Sequence, residues 1–228
     1  MIRIVKSISM SDNPKINGGC PDLNSPVISG QKFNLLPRVT ADERVGGKII
    51  SRKIYLYNDS NKDYDSVSLC ISKPTNGGDE IYIKKAFSCS ETEILLTDDG
   101  WTGAGILYED IPEDGNEIKV VFKSLDYNIP QGCTIFVRDD YGYTKELRTS
   151  NVIPTKWEEI NGKFVATIKL YAPLKYPMFV SDNVTVGIYL THYNFSAKSV
   201  AGFWVKEVVP AGCQYEPDNG FNLDWAAE

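Results

Sequence analysis

Residues 51–74 read SRKIYLYNDSNKDYDSVSLCISKP. Side chains alternate along an extended chain, so Ile54 and Leu56 point to one side and Tyr55 and Tyr57 to the other. After the polar run Asn58–Asp65, Val67, Leu69 and Ile71 alternate with Ser66, Ser68, Cys70 and Ser72. Period-two alternation marks a half-buried strand, and two such runs around a polar connection read as a hairpin. The apolar side is expected in a core. The tyrosine side is expected to face outward, where Tyr55 and Tyr57 could meet a neighbour.

The same pattern recurs on both sides of this stretch. Residues 1–42 are rich in Ser, Asn, Pro and Gly and read as an extended N-terminal arm, with short strands at Ile2–Val5 and Phe33–Leu36. Thr40, with Glu43 three residues on, has the spacing of a capping box for one helical turn that Gly46-Gly47 ends. DEIYIKKAFS (79–88), TEILLTDDGW (92–101) and NEIKVVFKSL (116–125) look strand-like between Asn- and Gly-bearing turns. Short strands at Thr134–Arg138, Thr144–Leu147 and Phe164–Leu170 form a meander, with Asn161-Gly162 as a hairpin turn. Farther on, Val184, Val186, Ile188 and Leu190 share a face, and Gly202–Val209 gives a last strand. Phe221, Leu223 and Trp225 recur at spacing two in a polar tail.

No segment holds a helical period over ten residues, and no internal repeat is visible. The expected fold is therefore mainly β. An Ig-like β-sandwich would take residues 43–112 and 183–213, with a small β meander or barrel inserted at 113–182. Extended arms at 1–42 and 214–228 would flank it.

Composition narrows the function. With 228 residues, 42% of them hydrophobic and 24% charged, the chain can bury a core and is not intrinsically disordered. A net charge of −6 and scattered Lys and Arg argue against phosphate-driven nucleic-acid binding. No run of 18 apolar residues is present and the first residues lack a signal-peptide core, so a soluble chain that neither crosses nor enters a membrane is expected. One His leaves a His-based triad resting on His192 alone, and no cofactor or metal site is expected. The five cysteines, Cys20, Cys70, Cys89, Cys133 and Cys213, include no CxxC pair. Cys70 reads as a core residue. Cys20 and Cys213 could pair with each other, pair with a neighbouring subunit, or remain free thiols.

The acidic pairs Asp98/Asp99, Glu109/Asp110, Glu113/Asp114 and Asp139/Asp140 have the residue types for glycosidase or Ca²⁺ chemistry. Each has a Gly or Pro within two residues, in turn-like surroundings where Asp serves backbone hydrogen bonds, and none has Ca²⁺-loop spacing. GWTGAG (100–105) lacks the strand–helix context of a phosphate loop. Trp101 and Trp157 sit in expected loops and could stack sugars, which keeps a carbohydrate-binding or adhesion module as an alternative. What remains is a wall-building, non-enzymatic chain with polar ends able to complete a neighbour's sheet. The expected contacts are Ile16, Cys20, Pro21 and Leu23 in the arm, Tyr215, Phe221 and Trp225 in the tail, and the Tyr55/Tyr57 face.

RVTADERVGGKIISRKIYLYND (38–59) resembles a stretch of virion structural proteins of tailed bacteriophages, matching at Arg38, Thr40, Glu43, Gly47, Arg52, Lys53 and Asn58. FWVKEVVPAG (203–212) resembles their closing strand, with Glu207 standing where the family often has Arg. The resemblance implies a structural part of a tail, neck or baseplate. Its partners would be other virion proteins and copies of itself in a symmetric assembly. No catalytic residue is implied.

Overall fold

The computed structural model describes residues 1–125, 127–216 and 220–228. Asp126 and, within the expected tail, residues 217–219 lie outside them. In chain order the elements are β1 (Ile2–Ser9), β2 (Gly18–Pro26), the short helix α1 (Ala41–Gly46), β3 (Lys48–Asn58), β4 (Tyr64–Lys73), β5 (Glu80–Lys85), β6 (Ala104–Leu107) and β7 (Glu117–Phe122). They continue as β8 (Thr134–Arg138), β9 (Thr144–Arg148), β10 (Lys156–Ile160), β11 (Lys163–Lys169), β12 (Thr185–Ile188), β13 (Leu190–Phe195), β14 (Val200–Val209) and β15 (Asn222–Ala227). The protein is mainly β, built from antiparallel sheets.

The first sheet runs β2-β1-β3-β14-β5, the second β10-β11-β7-β6-β12-β8-β9, and the third β13-β4-β15. Ile54 and Leu56 on β3, Ile83 on β5 and Phe203 and Val205 on β14 pack against Val67, Leu69 and Ile71 on β4. The apolar side of the opening stretch is thus core, as its alternation predicts. Its two strands are not hydrogen-bonded to each other, however. They lie in facing sheets, so the expected hairpin is a corner instead.

The N-terminal segment is not an arm. β1 pairs with β3 from Ile2↔Asn58 to Lys6↔Ile54 and carries β2 on its other edge. Its apolar residues Ile2 and Val5 are buried, and that burial together with main-chain pairing holds the segment down despite its polar composition. Phe33–Leu36 forms no strand, and Phe33 has φ 57. Residues 92–101 form a 3-10 turn at Glu93–Leu95 rather than a strand. The second sheet also claims β6 and β12, so the inserted unit reaches beyond 113–182 into stretches assigned to the sandwich.

The capping box at α1 is present: the Glu43 amide donates to Thr40 Oγ1, and Glu43 Oε2 accepts from the Thr40 amide at 2.8 Å. Gly47 follows with φ 79 and lies against Ala211, which a side chain could not do without displacing backbone.

Two crossings join the second sheet to the other two. Thr102 bridges to Ile83 at the edge of the first sheet, and the chain then enters the second sheet as β6. β12 leaves the second sheet, and after Tyr189 the same run of chain enters the third as β13. The shared face of Val184, Val186, Ile188 and Leu190 therefore serves two cores. At the second crossing, a Cβ on Gly187 would lie 2.2 Å from the Ile71 carbonyl oxygen.

Irregular loops are tied to the sheets by two buried lysines and a half-buried one. Lys53 Nζ donates to the carbonyls of Ser88, Cys89 and Glu91. Lys84 Nζ donates to the Thr97 and Asp99 carbonyls and to Thr97 Oγ1. Lys123 Nζ donates to Thr75 Oγ1 and the Gly77 and Asp79 carbonyls. Loop carbonyls that no ladder satisfies thus find donors, while the lysine stems pack as apolar surface.

Candidate functional site

The tyrosine face of β3 is not outward. Tyr55 is 2% exposed and Tyr57 8%. The 10–17 loop, the start of β2 and the 86–91 loop cover the Tyr55 part of this face, held by the Asn17 amide side chain donating to the Ser51 carbonyl and by the Lys53 contacts, and Tyr57 packs with Val5 and Val200. Tyr55 Oη donates to the Gly19 and Cys89 carbonyls, and burial pushes this hydroxyl upward in pKa. Lys53 Nζ stands 5.5 Å from both the Tyr55 and Trp204 ring centroids, and Trp204 Nε1 donates to Glu91 Oε2 at 2.9 Å. Burial holds the Lys53 ammonium below its usual pKa, opposed by the Glu91 carboxylate.

A cleft of about 660 Å³ opens between residues 27–39 and the described part of the C-terminal segment. Val27, Leu35 and Leu36 form one wall, Tyr215, Phe221 and Leu223 the other, and Arg44, Asp79 and Glu207 the polar end. Arg44 grips Asp79 with both ends of its guanidinium, at 3.1 and 3.4 Å, and sits 5.6 Å from the Tyr215 ring centroid. Cys213 Sγ donates to Asp79 Oδ1 at 3.2 Å. Burial, reinforced by Asp79, pushes Glu207 up to about 7, with Arg44 and Lys48 opposing.

Glu207 gives a pH signature. Its folded pKa lies above the unfolded value of 4.5, so the folded protein binds more protons between about pH 4.5 and 7 and stability falls as pH rises through that window. Glu207→Gln should match the parent near pH 4 and exceed it by about 2 kcal/mol near pH 8. Urea melts at both pH values read this directly. A difference between variant and parent that does not change with pH rules the burial account out.

The sequence-predicted contacts scatter. Tyr215 and Phe221 both line the cleft. Ile16, 57% exposed, lies in the β1–β2 connection, and Cys20, Pro21 and Leu23 lie on β2, the end strand of the first sheet. Trp225, 41% exposed, lies on β15, the end strand of the third. The tail therefore adds its strand to β4 of its own chain. Arg44, Asp79 and Glu207 escape the sequence because Arg44 reads only as part of a helical turn and Asp79 and Glu207 only as strand residues. Arg44 and Glu207 hold those roles and Asp79 lies just before β5, but the sequence does not show that the three converge.

The other candidates have structural work. Trp101 is 3% exposed, with Lys206 Nζ 4.3 Å from its ring centroid, and Trp157 leans on Phe122 at 5.3 Å between centroids. They offer no shared sugar platform. Asp110 accepts from the Val180 amide and Asp139 from the Tyr143 amide, and Asp140 accepts from the Asn183 side chain. Among the described residues no group of three or more His, Cys, Asp or Glu could hold a metal ion. His192 lies on β13 edge-on to Phe195. No described helix is long and apolar enough to cross a membrane.

Comparison with known proteins gives no match: no protein-family model fits the chain, and neither a curated protein nor a solved structure resembles it significantly.

Proposed function

We propose that this chain is a non-enzymatic structural subunit of a tailed-phage virion, in the tail, neck or baseplate, binding copies of itself and other virion proteins. The carrying observation is that β2 and β15 are end strands of two sheets, with no described strand beyond them, and carry exposed Leu23 and Trp225. Strand addition by a neighbour uses such edges, with the main chain supplying hydrogen bonds. The resemblance adds support. Its two segments are direct partners, β3 and β14, paired from Lys48↔Val209 to Tyr57↔Val200. Its residues also have structural roles here. Glu43 caps α1, Arg52 donates to the Ser11 carbonyl and pairs with Asp12, and the Asn58 side-chain amide donates to the Lys62 and Ser196 carbonyls.

Native mass spectrometry of the purified chain tests the reading. A closed oligomer of defined copy number is expected, weakened at least tenfold in association constant by Leu23→Asp combined with Trp225→Ser, a loss of about 1.4 kcal/mol. A strict monomer, both alone and with the co-expressed virion proteins, overturns it. Tight glycan binding by that monomer would favour the adhesion module instead.

A further inference from the structure

Cys20 and Cys89 are exposed on different parts of the chain, one on β2 and one in the 86–91 loop, yet their segments are in backbone contact and the Cys20 thiol is near enough to help hold Cys89 above its usual pKa. The backbone around them is fixed. The Gly19 amide donates to the Glu91 carbonyl at 3.2 Å, and Gly18 bridges to Thr92. Tyr55 Oη donates to the carbonyls of both Gly19 and Cys89, and buried Lys53 Nζ also donates to the Cys89 carbonyl at 3.2 Å. The two segments that carry these thiols are therefore held together by contacts that involve neither sulfur. The remaining cysteines are placed otherwise: Cys70 is buried, Cys133 Sγ accepts from Thr149 Oγ1, and Cys213 Sγ donates to Asp79.

We propose that Cys20 and Cys89 are a built cross-linking site, closed to a disulfide by a small-molecule disulfide oxidant. One protein thiolate attacks the oxidant, forming a mixed disulfide and releasing one small thiolate. The second protein thiolate then attacks the protein sulfur of that mixed disulfide and expels the other small thiolate. The two protein thiols lose two electrons and two protons, and the oxidant leaves as two thiols. Burial, with the adjacent Cys20 thiol, holds Cys89 above the usual thiol range, so closure runs faster at alkaline pH. The bond would clamp the start of β2 to the loop whose carbonyls receive Lys53. The inference is independent of the assembly reading.

The test is native oxidation of the full chain with oxidised glutathione at pH 8.5, acid quench, alkylation and peptide mapping. The expected product is one Cys20–Cys89 cross-linked peptide, with Cys70, Cys133 and Cys213 alkylated or singly glutathionylated. A reversible rise of ~5–10 °C in the thermal midpoint should accompany it. Cys20→Ser should leave Cys89 as a stable glutathione adduct. Should that variant fail to fold, the parent's peptide map decides alone. Persistent mixed disulfides at both cysteines of the parent, or a cross-link between a different pair, overturns the proposal.

Discussion

Lys53→Ala should cost about 3–4 kcal/mol of stability, measured by urea unfolding. The ammonium is wholly buried and gives hydrogen bonds to the carbonyls of Ser88, Cys89 and Glu91. Its removal leaves those acceptors short of a donor, strips the cation from the Tyr55 and Trp204 rings and leaves the Glu91 carboxylate without its buried counter-charge. Lys53→Met keeps the stem's volume and loses only the charged head, so it should cost about 2 kcal/mol. The gap between the two variants separates packing from hydrogen bonding. If both unfold within about 0.5 kcal/mol of the parent, a typical surface effect, the ammonium is not what holds the 86–91 loop.

The second large effect is expected at the crossing of β12 over β4. A methyl group on Gly187 would sit 2.2 Å from the Ile71 carbonyl oxygen, a backbone atom of a fully buried residue. Nothing there can rotate away, so the sheets must part. Gly187→Ala should cost at least about 3 kcal/mol and bring the thermal midpoint down by ten degrees or so. Gly46→Ala is the matched control: no atom lies within 4 Å of its added Cβ and the site is helical, so it should be neutral or stabilising by up to about 1 kcal/mol. Equal losses at the two sites would mean that the crossing tolerates a side chain.

The alternation in 51–74 was enough to give the fold class and the inward face. It could not show what covers the other face. Lys53, Tyr55 and Tyr57 carry polar ends, and on a strand such residues ordinarily face water. Here irregular loops bring carbonyls down onto Lys53 and Tyr55, and irregular loops have no period to read. The arm was misread for a related reason. Its composition predicts weak local structure, but β1 is held by pairing with a strand some fifty residues away. The cleft was legible only at Tyr215 and Phe221, because its polar end joins residues from α1, the approach to β5 and β14. Sheet switching at Thr102 and Tyr189 also placed β6 and β12 outside the boundaries that turn spacing indicated.

The order of strands in the first sheet also bears on how the chain is made. β14 lies between β3 and β5, although the whole span from Lys85 to Val200 separates it from the nearer of them. During synthesis the early strands must leave the ribosome and wait, with inner edges open, while the second sheet's strands emerge and pair. The late strand then slots into the gap, and β15 closes on β4. Such long-range closure is slow, and the waiting edges are sticky. Expression yield should therefore respond more to chaperone supply and growth temperature than the finished protein's stability would indicate.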